Sequence, residues 1–402
     1  MASTLAWLDY SERDRRRALD VVDLLREPST VDELGLGTVR DAFADMLFPG
    51  TSTIQTRARY FLFVPWIYLV LEKRRVASGQ IVSRARKEEV ALIDALVESG
   101  ERDGVIGIQA RRALKRLPSN VYWNGLWSWG VRRFNGTQPQ YHRSLDLFYE
   151  SPRAVPDDDG DPSQGKGATN WHPELPRAPR DFPKGYSLAL TQAEARFLRE
   201  RIIFSHPHSL LASLVDRART SEVDFAWVHP DLGKLDSVLK ERLEHARLFS
   251  EAMHGAQLLY NEMLSEAIEN DEWKGWFVDA LAGWTELMNE RADALRSWDL
   301  GRFWAIIVDE AGVIRPRTRT FIDRWLEIAI DPKAAAEVVG SNDARALIEQ
   351  REEELKGARA RLQNRQALML WQGDAGSAQM DFRWRVSQRI VNDILEGLGR
   401  DA

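Results

Sequence analysis

Cysteine is absent from all 402 residues. That absence excludes a disulfide framework, a thiolate zinc site, an iron–sulfur cluster and a cysteine nucleophile together, and it fits a reducing cytoplasm. Long apolar runs are missing as well. The longest, Phe61 to Leu71, contains Pro65 and falls short of the roughly 20 residues that cross a bilayer, so it reads as a buried segment. The N-terminus has no signal h-region and no acid-poor transit peptide, because Met1 to Tyr10 runs straight into Ser11-Glu12-Arg13-Asp14-Arg15-Arg16-Arg17. The expected location is the cytoplasm, with no membrane partner. Strand-like alternation is scarce, and no repeat of fixed period occurs. HExxH, GxSxG and HxKxxxxD arrangements are all lacking, which removes the usual support for a zinc hydrolase, a serine hydrolase or a phospholipase-D-type nuclease.

What is present is helical. Apolar residues recur at three and four over Leu188 to Arg201, Leu239 to Leu264 and Trp276 to Leu295. Thr191 and Glu194 have capping-box spacing, which starts a helix near Thr191. Residues 151–186 are rich in Pro, Gly and Asp and carry little that could build a core. The expectation is a mainly α protein with few or no strands: a helical domain over 1–150, a linker or long loop over 151–186, and a second helical domain over 187–402.

The net charge of −6 argues against a chain that coats nucleic acid everywhere, because such binding comes from lysine and arginine neutralising phosphates. The charge is unevenly spread. Gly104 to Leu145 contains no acid, while Arg111, Arg112, Lys115, Arg116, Arg132, Arg133 and Arg143 are all basic. Glu262 to Glu290 is the reverse, with acids opposed by Lys274 alone. One basic region and one acidic helix follow.

Within the basic region, Arg111, Arg112, Lys115 and Arg116 are followed by Trp123, Trp127, Arg132 and Arg133. Cations supply phosphate-directed charge, and exposed aromatic faces stack on unpaired bases. Leu117-Pro118-Ser119-Asn120 reads as a break giving a helix–turn–helix-like element. The competing reading is a solvated basic helix followed by a core helix, since Trp123 and Trp127, at i and i+4, share one face in either case. A second basic patch comprises Lys356, Arg359, Arg361, Arg365, Arg383, Arg385 and Arg389. It serves either nucleic acid or internal pairing with the acidic helix.

Other motifs are weaker. Gly160 to Gly167 has a GxxxxGK skeleton, but Gly167 replaces the magnesium-binding hydroxyl and Asp157-Asp158-Asp159 replaces the preceding apolar strand. Glu272-x-Lys274, Asp331-x-Lys333 and Glu354-x-Lys356 fit the nuclease triplet, with no strand–turn–strand pattern to bring a second carboxylate alongside. Glu251-x-x-His254 lacks the second copy that a di-iron site needs. The seven histidines form no metal set, and no cofactor or metal is expected. Arg57 and Arg59, ahead of the apolar run, should anchor it by bonding carboxylates or helix carbonyls.

Residues 5–12 (LAWLDYSE), 33–41 (ELGLGTVRD), 47–66 (LFPGTSTIQTRARYFLFVPW), 355–364 (LKGARARLQN) and 380–384 (MDFRW) together resemble an uncharacterised bacterial family of this length, a domain of unknown function. Its members occur beside helicase and phospholipase-D-like nuclease genes in phage-defence loci, including the three-gene Azaca system. The resemblance implies a non-enzymatic accessory subunit of an antiviral assembly, binding DNA, a helicase–nuclease partner, or both. It supplies no catalytic residues. The alternatives are a metal-dependent nuclease with dispersed carboxylates and a purely structural scaffold. Candidate nucleic-acid residues are Arg111, Arg112, Lys115, Arg116, Trp123, Trp127, Arg132 and Arg133, with Arg359, Arg361, Arg365, Arg383 and Arg385 from the second patch.

Overall fold

A computed structural model describes residues 32–150 and 169–399. Among them the regular structure is helical, with an isolated antiparallel bridge between Arg132 and Trp171 and no strand. In chain order the helices are α1 (Gly37–Leu47), α2 (Tyr60–Lys73), α3 (Ser78–Glu98), α4 (Pro118–Ser128), α5 (Gln138–Glu150), α6 (Gln192–Ser205), α7 (Leu210–Arg217) and α8 (Ser237–Ala267). They continue with α9 (Asp271–Glu290), α10 (Ala292–Arg296), α11 (Leu300–Ala311), α12 (Pro316–Ile330), α13 (Pro332–Ala336), α14 (Asn342–Lys356), α15 (Arg365–Leu368) and α16 (Trp384–Gly397). Among the described residues, no helix is long and apolar enough to cross a membrane.

The chain divides into two compact units, Met1–Ala42 with Glu244–Met380 and Phe43–Leu243 with Asp381–Ala402. Each unit is assembled from two separate stretches of the chain. The 151–186 stretch is described from residue 169 onward, and there it is packed rather than free. Trp171 is buried and its Nε1 donates to Glu72 at 2.9 Å, while Trp66 Nε1 donates to the Pro176 carbonyl at 2.7 Å. Gly160 to Gly167 and the 5–12 motif lie outside the described residues.

In the unit built on residues 43–243, α2 is the centre. It is apolar on all sides and buried from Tyr60 through Tyr68, as a helix surrounded by protein must be, and α3 and α4 pack on it. Its two preceding cations anchor it as expected. Arg57 donates to both carboxylate oxygens of Asp393 on α16, at 2.9 and 3.0 Å. Arg59 donates to Glu194 Oε1 at 2.9 Å and to the Ser187 carbonyl at 2.8 Å. The other oxygen of Glu194 accepts from the Thr191 amide at 2.9 Å, so one side chain closes the capping box of α6 and receives the α2 arginine.

In the unit built on residues 244–380, Trp284 and Trp325 donate their Nε1 protons to the α8 carbonyls of Glu251 and Ala252, each at 2.9 Å. The segment after α15 is strapped along α8. Asn261 accepts from the Ala375 amide at 2.8 Å, and Ser250 donates to the Met380 carbonyl at 2.7 Å. Glu33, Tyr260, Glu352, Lys356 and Arg361 form a buried network in which each carboxylate meets a cation: Lys356 reaches Glu33 at 2.5 Å and Glu352 at 2.8 Å.

Candidate nucleic-acid interface

The basic stretch ahead of α4 is not a helix. It is a loop with one 3-10 turn, Arg111–Ala113, whose shape is fixed by hydrogen bonds. Gly107 has φ +79°, and a Cβ there would lie 2.6 Å from Leu114, so only glycine fits. The Arg111 amide donates to the Gly107 carbonyl at 2.8 Å, its Nε to Ile108 at 2.9 Å, and its guanidinium pairs with Asp94 on α3 at 2.7 Å. From the same helix, Arg86 donates to the carbonyls of Arg112 and Leu114 at 2.7 and 2.9 Å.

What this framework leaves outward is Arg112 and Lys115, both exposed, and neither is in an ion pair among the described residues. Arg116 is half-buried. Arg111 serves the loop itself. Arg133, exposed after α4, is held by its backbone, whose amide donates to the Asn170 carbonyl at 2.8 Å. Sequence reading missed Arg84 and Lys87, exposed on α3, the helix to which Arg86 ties the loop. They sit among Glu88 and Glu89 and give no charge run; only the long-range tie through Arg86 reveals them.

Two candidates are core residues, a correction to the sequence reading. Trp123 is 4% exposed, donates Nε1 to the Gly136 carbonyl at 3.1 Å, and meets Tyr141 and Trp171 with its ring. Arg132 is 2% exposed, with its guanidinium 4.6 Å from the Trp123 ring centre and 5.3 Å from that of Trp127. It donates to the carbonyls of Phe134 and Gly136. A cation bonded to carbonyls, flanked by indole faces and 2% exposed is a packing device, buried away from any phosphate. Trp127 is half-exposed.

A polar core lies beneath α4. Glu89, fully buried, accepts from the Ser119 amide and hydroxyl, both at 2.8 Å, at the N-terminus of that helix. Gln138 donates to Ser119 Oγ and to Tyr68 Oη, each at 2.8 Å, and Tyr68 Oη lies 3.0 Å from His142 Nε2. Burial pushes the Glu89 carboxyl up to about 7 and holds the His142 imidazole down at about 4.

The second basic patch divides. Arg361 pairs with Glu33 at 2.7 Å and Arg383 with Asp45 at 2.7 Å. Arg359, Arg365 and Arg385 are exposed. Internal pairing therefore occurs, but the partners shown are Glu33, Glu352, Asp45 and Asp103, and not the acids of Glu262 to Glu290, which span the end of α8 and α9 rather than forming one helix. Glu262 and Glu266 take Arg345 instead.

Among the described residues no group of three or more His, Asp or Glu side chains could hold a metal ion. Glu251 accepts from Arg247 and Arg291, and His254 faces the Ser377 carbonyl at 3.0 Å. The nuclease-like triplets have separate duties. Asp331 caps α13, Lys274 pairs with Glu266 at 2.6 Å, and Lys356 belongs to the buried network.

The fold and this surface together define a mainly helical protein with a cationic loop tied to α3 by Arg86 and the Arg111–Asp94 pair. Residues 2–397 match the family of unknown function DUF6361, and the chain belongs to that family. No curated protein and no solved structure matches it.

Proposed function

We propose that this chain is a non-enzymatic subunit of a bacterial antiviral assembly that binds nucleic acid through the loop ahead of α4. The observation that carries the reading is that Arg112 and Lys115 stand exposed, and among the described residues without ion pairs, on a loop held by Arg86 and the Arg111–Asp94 pair. A solvated cation on a floppy segment loses entropy on binding, whereas one on a fixed loop is already placed. Burial of Trp123 removes the stacking platform from this reading. The contact is therefore phosphate-directed, indifferent to sequence, and similar for single and double strands. The antiviral setting rests on the resemblance to defence-locus proteins, and the helicase and phospholipase-D-like nuclease subunits of such a locus are the proposed partners.

The test is a salt titration of DNA retention with Arg112→Glu, Lys115→Glu and Arg133→Glu. Each lost contact should lower the magnitude of the salt slope by about one unit, with normal folding because all three side chains are exposed. A folded triple variant that retains DNA as well as the parent overturns the reading. Divalent-dependent cleavage by the purified protein would favour the nuclease instead.

A further inference from the structure

The outer face of the acidic helix α9 is the feature that neither the fold nor the proposed function uses. On α9 the buried side is set by Phe277, Leu281, Trp284 and Met288. At 100° per residue, Glu272, Trp276, Asp279, Gly283, Glu286 and Glu290 all fall within about 100° of arc on the opposite side, and all six are exposed. Among the described residues the four acids form no ion pair. The cations at the two ends of α9 are engaged elsewhere, Lys274 with Glu266 and Arg291 with Glu251. The charge of these four carboxylates is therefore presented outward, whereas Glu262 and Glu266 before α9 are paired with Arg345.

Two further observations point to something that lies against this face. Trp276 is 59% exposed, and among the described residues it is the tryptophan left largely in solvent. Gly275 and Gly283 are mid-helix glycines where an added Cβ would meet nothing within 4 Å. Glycine weakens a helix interior, and here no internal neighbour requires it. Gly255 on α8 is the contrast, because a Cβ there would lie 2.3 Å from Trp284. Glycines flanking an exposed tryptophan let another backbone approach the helix closely. Trp273, three residues before Trp276, meets Trp371 at 5.2 Å, and Met369 and Leu370, just ahead of Trp371, are exposed.

We infer that the outer face of α9 is a docking surface for a basic amphipathic helix of a protein partner, with Trp276 as the apolar anchor and Glu272, Asp279, Glu286 and Glu290 pairing with its lysines and arginines. Charge complementarity selects this occupant: a row of unpaired acids repels nucleic acid and acidic proteins and steers a basic segment. From Glu272 to Glu290 the face is roughly 27 Å long, enough for five helical turns of a partner. The inference does not use the DNA-binding residues, so either can fail alone.

The full chain would be titrated with a fluorescent 20-residue amphipathic Lys/Leu helix, with oligolysine of the same length as control. The amphipathic peptide should bind, and oligolysine at least about tenfold more weakly because it offers no apolar face to Trp276. Asp279→Lys with Glu286→Lys, and separately Trp276→Ala, should each weaken binding more than about tenfold. Gly275→Leu with Gly283→Leu should block close approach while melting no lower than the parent. Binding that survives the charge reversal, or equal binding of oligolysine, overturns the inference. Self-association in sedimentation that the charge reversal abolishes would also overturn it, assigning the face to a second copy of this chain.

Discussion

Glu89 is held in the interior by the Ser119 amide and hydroxyl, and its burial has a pH signature. Between 4.5 and about 7 the folded state keeps a proton on Glu89 that the unfolded chain has released. Its stabilising contribution is thus fully present below 4.5 and lost as pH rises through about 7. His142, four hydrogen-bonded steps along the same network, works in the opposite sense. The unfolded imidazole gains its proton near 6.5 and the buried one near 4, so its contribution is present above 6.5 and lost as pH falls through about 4. The two oppose each other between pH 4.5 and 6.5. Glu89→Gln keeps an acceptor for Ser119 and removes the first contribution, so its melting temperature should climb with pH across that window. His142→Gln should leave a melting temperature that declines over the same range. Melting curves of both variants displaced in parallel from the parent, with no change of pH slope, would show that neither group titrates in this way.

At the scale of elements, buried ion pairs fasten α2 to its neighbours. Arg59 and Glu194 have side chains 5% and 6% exposed. Removing either leaves an uncompensated buried charge, which costs about 3–5 kcal/mol, while removing both with well-packed apolar replacements costs far less. Arg59→Met should therefore lower stability by about 3–5 kcal/mol in denaturant unfolding, and adding Glu194→Leu should recover part of the loss. An Arg59→Met protein as stable as the parent would instead place the anchoring of α2 in its apolar contacts. This anchoring was legible in sequence, because two arginines directly ahead of an apolar run must be satisfied somewhere close. So was the start of α6, where Thr191 and Glu194 carry their own local geometry. Burial of Trp123 was not legible, since i, i+4 aromatic spacing serves a core and a stacking platform equally. Nor were the partners of Arg361 and Arg383, whose carboxylates lie 328 and 338 residues away in the chain, beyond any local count of charge.

For the whole molecule, net charge says little and its placement says more. Arg84, Lys87, Arg112, Lys115 and Arg133 belong to the unit of residues 43–243, and Glu272, Asp279, Glu286 and Glu290 to the unit of residues 244–380. Opposite charges gathered in different units, each set left unpaired, suit a protein that holds an anionic polymer with one unit and a basic protein segment with the other. Each set lies within its own unit, and if the two act independently, perturbing one should leave the other's affinity unchanged within about 0.3–0.5 kcal/mol, the range in which independent sites add. The measurement is a cycle: DNA affinity at fixed salt with and without saturating Lys/Leu peptide, for the parent, the Asp279→Lys/Glu286→Lys variant, the Arg112→Glu/Lys115→Glu variant, and their combination. Independent sites give additive losses and a DNA affinity indifferent to the peptide. A peptide that displaces DNA in the parent, or a combined variant that recovers what each pair lost, would mean that the two surfaces meet each other rather than two separate ligands.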